Sequence, residues 1–518
     1  MAADLAHLSP LLIVCCVGLG ILLLDVFADP KQPKTFIGYV AVVGLLVALA
    51  ATGWLFATGG VLLTQPYFAV ALTLDPFALF GFALILVVAI LTTLASVHYL
   101  PSQRCEWGEY YSLVVFASLG MMVMVAAADL ITMFVGLEIM SVAIYVLAGF
   151  KRQSPFAIEA AMKYFFLGAF ATGFLLYGLA FVYGATGSTN LNVVAEHFAK
   201  NDPGLYGIVI VIMMIVAFGF KIAAVPFHMW TPDVYEGSPS PIAGLMAGGV
   251  KTAAFLALAR VFLTAFGGAD FENLAISWRE VFYWLAILTM TVGNILAVVQ
   301  QNVKRMLAYS SISHAGYILI GIVASRSVDG GAVAGSGLFF YLLAYALSSV
   351  GAFAVVSMLG KDGEEDITYG NLAGFAYRHG FAALCMVIFM ASLAGIPPTA
   401  GFLGKYLVFT DALAATHMNL LPLVLVAVVN SMIGVYYYLK VIVFMYMREP
   451  RREFETIRSV PMGIAFGLAA LVVVVCGSFP DTTIRWSAKA ATGNPSADSA
   501  ISAASVIDVP APVATTAK

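Results

Sequence analysis

Long apolar runs separated by short polar stretches dominate this chain. A membrane-spanning helix needs about 20 mostly apolar residues, because a rise of about 1.5 Å per residue then crosses about 30 Å of hydrocarbon. Backbone groups in lipid must be satisfied within the segment, so such runs are helices. The sequence predicts an all-α membrane protein with fourteen transmembrane helices, at residues 9–27, 36–58, 77–99, 110–127, 129–149, 156–184, 205–225, 240–266, 280–300, 305–325, 333–359, 381–413, 419–446 and 460–479.

Proline interrupts two of the predicted helices. Helix seven breaks at Pro226, five residues after Lys221, and helix twelve breaks at Pro397 and Pro398, seven residues before Lys405. Proline removes a helix hydrogen bond and kinks or ends the helix. The two helices lie five apart, with a lysine before one break and after the other, which we interpret as two inverted five-helix repeats, helices 4–8 and 9–13. The alternative is that these prolines only shape packing.

The predicted organisation has five parts. The N-terminal run has no basic region and no cleavage site of a signal peptide, so it is predicted as a membrane helix. The tail is rich in Ala, Ser, Thr and Pro, a composition typical of disorder. The parts are an N-terminal three-helix segment at 1–109, a first repeat at 110–266, a second, inverted repeat at 279–446, the last helix and its flanks at 447–486, and a disordered tail at 487–518.

Composition excludes a water-soluble protein. The 518 residues are 62% hydrophobic and 10% charged, with a mean hydropathy of +0.96, which leaves too little polar surface to coat a soluble globule. The sequence shows no basic face of the kind that would indicate nucleic-acid binding. The five cysteines show no CxxC spacing, so we predict no disulfide framework, zinc site or iron–sulfur site.

Positive charge is unevenly distributed between the predicted loops, and the excess marks the cytoplasmic side. We therefore expect both termini outside. Loops after even-numbered helices contain three lysines and arginines, Lys200, Arg279 and Arg326. Loops after odd-numbered helices contain thirteen, namely Lys31, Lys34, Arg104, Lys151, Arg152, Lys304, Arg305, Lys361, Arg378, Arg448, Arg451, Arg452 and Arg458.

Five charged residues lie inside the apolar runs: Glu138, Lys163, Lys221, Lys251 and Lys405. An ionised side chain at mid-membrane costs at least a few kcal/mol, so each needs a partner, a water-filled cavity or a function. Burial disfavours the charged form of a lysine, whereas a nearby carboxylate favours it. A set of buried lysines and carboxylates can therefore take up and release protons.

Helix geometry gives expected depths for these residues. Glu138 and Lys163 lie about 16 Å and about 10 Å from the same membrane face, so adjacent helices are expected to pair them. An alternative for Lys163 is a local pair with Glu159, four residues earlier. Lys405 could extend to the membrane surface, whereas Lys251, about 16 Å from its helix start, is too deep to do so.

Histidine and tyrosine supply further candidates. His228 lies at the first break, and His314 lies beside Tyr309 and three serines in AYSSISHAGY. His314 either carries protons along hydroxyl groups or is a hydrogen-bonded core histidine. No two histidines fall on facing helices at a common depth, so a haem is not expected. The segment GLMAGGVKT is not a phosphate-binding loop, because Val250 replaces the required glycine.

Five segments together resemble the antiporter-like membrane subunits of respiratory complex I. The resemblance covers roughly helices four to thirteen and implies a fourteen-helix, inverted-repeat fold in the membrane arm. Two features distinguish the chain from long paralogues of that family: it has no long lateral helix after the last span, and Lys405 stands where another has glutamate. The segments are LEIMSVAIYVLAGF, EAAMKYFFLGAF, FKIAAVPFHMWTPDVYEGSPSPI, NVKRMLAYSSISHAGY and AGIPPTAGFLGKY.

The resemblance also implies roles for the five charged residues. Glu138 would partner Lys221, Lys163 would modulate that pair, Lys251 would be the central relay, and Lys405 would be the far terminus of the path.

The same resemblance makes His228, Tyr309 and His314 secondary members of a hydrated proton path.

Three functions are then compatible with the sequence. The first is a proton-translocating complex I subunit in a bacterial inner membrane, with no redox centre of its own. Flavin, iron–sulfur clusters and quinone are expected in partner subunits, and the expected partners are other membrane-arm subunits, including antiporter-like paralogues, together with lipid. The second is a membrane subunit of a multi-subunit sodium/proton antiporter. The third is a structural spacer, which five deep charges disfavour.

Overall fold

Long apolar helices build the protein, as a computed structural model shows. The structure describes residues 2–29, 33–58, 66–268, 277–328, 331–333, 335–359, 365, 367–416, 418–449 and 459–492. Within these residues, thirteen helices are long and apolar enough to cross a membrane, and a fourteenth crossing consists of two shorter helices. The predicted all-α membrane fold is confirmed.

We number the crossing helices α1 to α14 in chain order. They are α1 Ser9–Phe27, α2 Thr35–Ala57, α3 Pro76–Ser102, α4 Glu109–Ala126, α5 Leu130–Ala148, α6 Pro155–Thr186, α7 Gly204–Ile222, α8 Ser240–Ala265, α9 Trp278–Val298, α10 Val303–Ala324, α11 Ser336–Val356, α12a Gly380–Ala394 with α12b Ala400–Ala414, α13 Leu421–Met447 and α14 Val460–Ser478.

Shorter elements connect these helices. Strands β1 Arg326–Val328 and β2 Gly331–Val333 pair in antiparallel orientation between α10 and α11. The short helices are Ala2–His7, Pro66–Ala71, Leu191–Phe198, Thr231–Gly237, Tyr369–Leu372, Phe375–Arg378 and Asp481–Thr492.

The C-terminal region differs from its prediction. Residues 487–492, expected to be disordered, belong to the helix Asp481–Thr492, in which Ser487 and Ala490 are buried and Lys489 donates to the Phe56 carbonyl oxygen at 2.9 Å. Packing against α3 and α11, together with this bond to α2, stabilises a segment whose composition alone indicates disorder. The rest of the predicted tail, residues 493–518, lies outside the described residues, as do the predicted loop cations Lys31, Lys361, Arg451, Arg452 and Arg458.

The two predicted breaks share one backbone pattern. Ala223 directly follows α7 and Gly395 directly follows α12a, both with a positive φ, and a cis peptide precedes the proline three residues later in each case, Pro226 and Pro398. Inverted repeats related by a two-fold axis keep the same chain order, and the presence of such repeats in this chain stays a prediction. The position of the lysines on opposite sides of the breaks is no support for the repeats.

A second similarity concerns the first two helices of each predicted repeat. A Cβ atom on Gly120 would lie 2.4 Å from the Met140 backbone nitrogen, and one on Gly136 would lie 2.7 Å from that of Met124. Helices α4 and α5 therefore approach through glycine, as small residues permit in membranes. Gly293 and Gly316 bring α9 and α10 together in the same reciprocal way.

The candidate site lies in the interior because α8, α10 and α11 form the centre of the bundle. In the apolar stretch of α8, all residues are buried within this single chain, whereas in that of α1 only 28% are buried. Helix α8 also contains two π-helical turns, Met246–Val250 and Val261–Ala265. Such turns often occur at functional positions, and the first directly precedes Lys251.

Candidate functional site

Lys221 lies near the end of α7 and is 3% exposed. Its ammonium nitrogen donates to the Ser141 hydroxyl at 2.8 Å and to the Tyr145 hydroxyl at 3.4 Å. Both partners belong to α5, where Glu138, Ser141 and Tyr145 follow one another at helical spacing on one face. We name Glu138, Ser141, Tyr145 and Lys221 the α5–α7 site. The end of α7 is held by Trp230, whose indole nitrogen donates to the Phe220 carbonyl oxygen at 3.1 Å.

Glu138 binds Thr172 and forms no ion pair with another described residue. Its carboxylate accepts a hydrogen bond from the Thr172 hydroxyl of α6 at 2.9 Å. Ser141 stands between Glu138 and Lys221 along α5, so any interaction of these two charges is indirect in this structure. Their partnership stays a prediction.

The expected pairing of Glu138 with Lys163 is wrong. Lys163 instead binds Glu159 at 2.6 Å and Asp233 at 2.5 Å. Helix α6 begins about two turns outside the end of α5, because Gly149 packs against Ala161. Lys163 is nine residues, or about 13 Å, from Thr172 along α6 and therefore from the level of Glu138.

The alternative local pair of Lys163 with Glu159 is present, and Asp233 extends it. Asp233 also accepts from Arg305 at 2.7 Å, which joins α6 to α10. Burial alone would raise the pKa of Asp233, but the hydrogen bonds from Lys163 and Arg305 lower it below its ordinary value. Lys163 is 40% exposed in this single chain.

Lys251 occupies the centre of the molecule and is 2% exposed. Its ammonium nitrogen donates to the Ser311 carbonyl oxygen at 2.6 Å and to the Ser311 hydroxyl at 2.5 Å. The Tyr345 hydroxyl donates to the same serine oxygen at 2.7 Å. Neither Lys251 nor these partners contact a carboxylate among the described residues. The ammonium group is thus buried with neutral ligands.

His314 lies one helical turn beyond Ser311 and connects three helices. Its Nδ1 hydrogen-bonds the Tyr341 hydroxyl at 2.7 Å, and its Nε2 hydrogen-bonds the Tyr438 hydroxyl at 2.9 Å. Tyr438 also hydrogen-bonds the Ser310 hydroxyl. His314 is therefore a hydrogen-bonded core histidine that lies within a chain of hydroxyl groups. We name Lys251, Ser311, Tyr345, His314, Tyr341 and Tyr438 the central cluster.

Lys405 turns inward and is 7% exposed, so it does not extend to the membrane surface. Its ammonium nitrogen contacts the carbonyl oxygens of Leu393 at 3.2 Å and Ala394 at 2.9 Å, and the Ser431 hydroxyl at 2.8 Å. These carbonyls end α12a. The last carbonyls of a helix have no intrahelical partner and carry partial negative charge, so the break creates a cation site.

A small cavity lies between the central cluster and Lys405. Its volume of about 10 Å³ has room for about one water molecule. It is lined by His314, Tyr341, Ala344, Tyr345, Ser392, Leu393 and Gly401. The cavity therefore adjoins hydroxyl groups of the central cluster on one side and the end of α12a on the other.

Two predicted residues lie apart from these sites. His228 is half-buried in the segment after α7, and its Nδ1 has no hydrogen-bond partner among the described residues. Burial lowers the pKa of His228 below its ordinary value. The side chain of Tyr309 packs against the apolar core, and no hydrogen bond between described residues joins it to the central cluster.

Sequence reasoning missed the tyrosines that bind the charged groups. Tyr341, Tyr345 and Ser348 follow one another on one face of α11, and Ser348 contacts Ser392 at 2.8 Å. Hydroxyl groups at helical spacing within an apolar run are the signal that could have identified this face. A single sequence gives no reason to favour the tyrosines on this face over the other tyrosines of the chain.

Comparison with known proteins narrows the family. The family described as NADH:quinone oxidoreductase/Mrp antiporter, TM, matches residues 127–434. NADH-quinone oxidoreductase subunit N of Trichlorobacter lovleyi is 42% identical over 495 residues, which cover 94% of this chain and 97% of that protein. The chain belongs to the NADH-quinone oxidoreductase subunit N family. The resemblance found in the sequence is thereby confirmed.

Further relatives and solved structures are similar to this chain. The F(420)H(2) dehydrogenase subunit N of Methanosarcina mazei is 39% identical over 502 residues, covering 94% of this chain and 98% of that protein. A chain of respiratory complex I from Thermus thermophilus with bound aureothin is 32% identical, with a TM-score of 0.76 and coverage of 93% and 99%. A chain of the Mrp complex from Dietzia sp. shares the fold, with a TM-score of 0.81, 21% identity and coverage of 96% and 99%.

Proposed function

We propose that this chain is a proton-translocating membrane-arm subunit of an NADH:quinone oxidoreductase, which relays protons through buried lysines and has no redox centre of its own. The observation that carries the proposal is the state of Lys221, Lys251 and Lys405. Each is buried and binds only hydroxyl or carbonyl oxygens among the described residues. A membrane subunit that served only as a spacer would gain nothing from three such residues.

These neutral ligands explain how the lysines could exchange protons. Burial disfavours the ammonium form, so only a small change in surroundings decides whether it keeps its proton. Hydroxyl groups can both donate and accept a hydrogen bond, which permits a proton to pass along them. In this proposal Lys251 is the central relay, and the hydroxyls of the central cluster connect it with the cavity beside Lys405.

The other predicted residues receive secondary roles. Glu138 acts on Lys221 through the field of its carboxylate, since Ser141 stands between them. Lys163 influences this pair from a greater distance because Asp233 and Glu159 hold it near the helix end. His228 and Tyr309 lie at the margins of the path and would contribute through water.

The proposal includes the surroundings of the chain. We infer a bacterial inner membrane with both termini on the periplasmic side, because lysine and arginine are concentrated in loops after odd-numbered helices. Flavin, iron–sulfur clusters and quinone belong to partner subunits of the complex, and antiporter-like paralogues are its membrane neighbours. Relatives named as oxidoreductase subunits support these partners.

A sodium/proton antiporter subunit is the second candidate, because the matching family description covers both classes. Isolation of the native complex through a tag on this chain separates the two. We expect flavin-containing and iron–sulfur polypeptides to co-isolate, and membrane vesicles to take up protons during NADH oxidation without sodium. Recovery of small membrane subunits alone, with proton movement that requires a sodium gradient, would favour the antiporter.

A further inference from the structure

Asp411 is a carboxylate on the same half-helix as Lys405, and the path described so far does not use it. It lies six residues after Lys405 in α12b, or about 9 Å further along the helix, toward the end at Ala414. The side chain is half-buried, and no lysine or arginine among the described residues pairs with it. A half-buried carboxylate that has no cationic partner among the described residues needs another explanation.

The nearest group is the beginning of α11. One carboxylate oxygen of Asp411 accepts a hydrogen bond from the Gly337 backbone nitrogen at 2.9 Å. Cβ atoms on Gly335 and Gly337 would lie 2.3 Å and 2.7 Å from that oxygen. The carboxylate therefore occupies space that is open only because both residues are glycine. Gly335 precedes α11 and offers no side chain as a cap. Capping α11 is therefore one function of Asp411, and an asparagine could perform it equally.

A second observation connects Asp411 with the central cluster. Gly337, Tyr341 and Tyr345 are spaced four residues apart and share one face of α11. Tyr341 binds His314, and Tyr345 binds the serine that holds Lys251. The face of α11 that carries the tyrosines thus ends at Asp411. The backbone of Tyr341 also borders α12b, because a Cβ on Gly404 would lie 3.1 Å from its Cα.

We propose that Asp411 is the last proton acceptor of this chain, taking protons from the Lys405 site and releasing them at the nearby end of α12b. The step moves one proton from an ammonium group, through water, to a carboxylate, so the charge changes on both groups balance. Lys405 and Asp411 are separated by about 9 Å along the helix. This distance is too long for direct contact, and a few water molecules would span it. This inference rests on the proposed function and extends it beyond Lys405.

The test uses Asp411→Asn in the intact complex, because asparagine keeps the acceptor oxygen that caps α11 but cannot take up a proton. The matched control is Asp129→Asn. Asp129 caps α5 by accepting from the backbone nitrogens of Ile131 and Thr132, also accepts from the Thr189 hydroxyl at 2.6 Å, and belongs to none of the named sites. The number of protons moved per electron is measured in vesicles, normalised to assembled complex.

We expect Asp411→Asn to lower the proton-to-electron ratio to that of Lys251→Ala, Asp411→Glu to restore it, and Asp129→Asn to match the unmodified complex. A normal ratio in Asp411→Asn would overturn the inference. If Lys251→Ala also kept a normal ratio, the proposed function itself would fail, so the two failures are distinguishable.

Infrared difference spectra of the unmodified complex keep the inference testable if Asp411→Asn does not assemble. Turnover with ¹³C-labelled aspartate should show a carboxyl band that shifts with the label. In Asp411→Glu, the band should shift with labelled glutamate instead. Absence of an aspartate-dependent band during turnover would contradict the inference.

Discussion

At the scale of single residues, the environment of Lys221 makes a specific demand on the side chain. Its ligands are two hydroxyl groups, and the ring centres of Tyr145 and Tyr164 lie 5.6 Å and 5.9 Å from the ammonium nitrogen. Aromatic rings and hydroxyls tolerate a cation without holding it in the charged form. A carboxylate, by contrast, would hold the lysine in its protonated form. In the proposed function, this setting permits Lys221 either to keep or to release its proton.

Lys221→Arg should abolish most redox-driven proton movement, because a guanidinium group stays protonated and cannot relay. Proton uptake per electron in membrane vesicles, at equal content of assembled complex, measures the effect. The control is Lys200→Arg, which changes an exposed lysine between α6 and α7. An unchanged ratio in Lys221→Arg would contradict a relay role for this residue.

Glu365 illustrates a different use of buried charge. It binds Lys304 at 2.7 Å and also accepts from Tyr99 and Ser240, so it joins the N-terminal segment to both predicted repeats. Burial alone would raise the pKa of Glu365, but the charges of Lys304 and Lys151 lower it below its ordinary value. The buried pair of Glu365 and Lys304 therefore connects helices from different parts of the bundle.

Glu365→Gln should destabilise the protein by about 3 kcal/mol near neutral pH, because it leaves Lys304 buried without its counter-charge. Since the folded-state pKa of Glu365 is lowered, this stability is present above its ordinary pKa of about 4.3 and is lost as pH falls through the folded-state value. The difference between the thermal unfolding midpoints of the two proteins should therefore narrow as pH falls below about 4.3 and vanish once pH is below the folded-state pKa of Glu365. A constant difference at every pH, or a similar loss in the exposed Glu280→Gln, would contradict this assignment.

Burial of the charged residues was more predictable than their partners. Depth within an apolar run correctly indicates that Lys251 is buried, because a helix has a fixed rise. The partner of Lys163 was not predictable, since it depends on how far α6 extends past α5. The tyrosine ligands of His314 come from α11 and α13, and no local pattern joins those helices to α10.

At the scale of elements, close approach of α4 and α5 positions the face that carries Glu138. Gly120 and Gly136 each lie against the backbone of the other helix, and Glu138 follows Gly136 by two residues. Separation of these helices would move the carboxylate relative to Lys221.

Gly136→Ala should destabilise the protein by about 1–3 kcal/mol, because the added methyl would lie 2.7 Å from the Met124 backbone nitrogen and must force α4 and α5 apart. Thermal unfolding of the isolated complex tests this. Gly173→Ala is the control, since a Cβ there meets no atom within 4 Å. Equal midpoints for the two variants would show that the glycine contact does not determine packing.

The broken helices show what proline can and cannot reveal. Pro226 and Pro398 correctly predict that α7 ends early and that α12 is discontinuous. The cation site at the second break was not predictable from proline alone, because it depends on Lys405 folding back onto the carbonyls of Leu393 and Ala394. That contact requires the particular turn between α12a and α12b.

At the scale of the whole molecule, the buried charged groups form separate sites within one bundle. Tyr164, Trp230 and Tyr235 form a series of ring contacts from the α5–α7 site toward the centre, and no hydrogen bond between described residues joins Lys221 to Lys251. Hydrogen-bonded hydroxyls and a small cavity, by contrast, lie between Lys251 and Lys405. The described side chains therefore offer a more continuous hydrogen-bonded connection between Lys251 and Lys405 than between Lys221 and Lys251.

The most direct measurement is the number of protons moved per electron in complexes that carry Lys251→Ala, compared with Lys440→Ala. Lys440 also lies in a membrane helix, but it contacts the Gln300 carbonyl oxygen at 3.3 Å and belongs to none of the sites. We predict a lowered ratio for Lys251→Ala with assembly and electron transfer retained, and a normal ratio for Lys440→Ala. A normal ratio in the assembled Lys251→Ala complex would contradict the account.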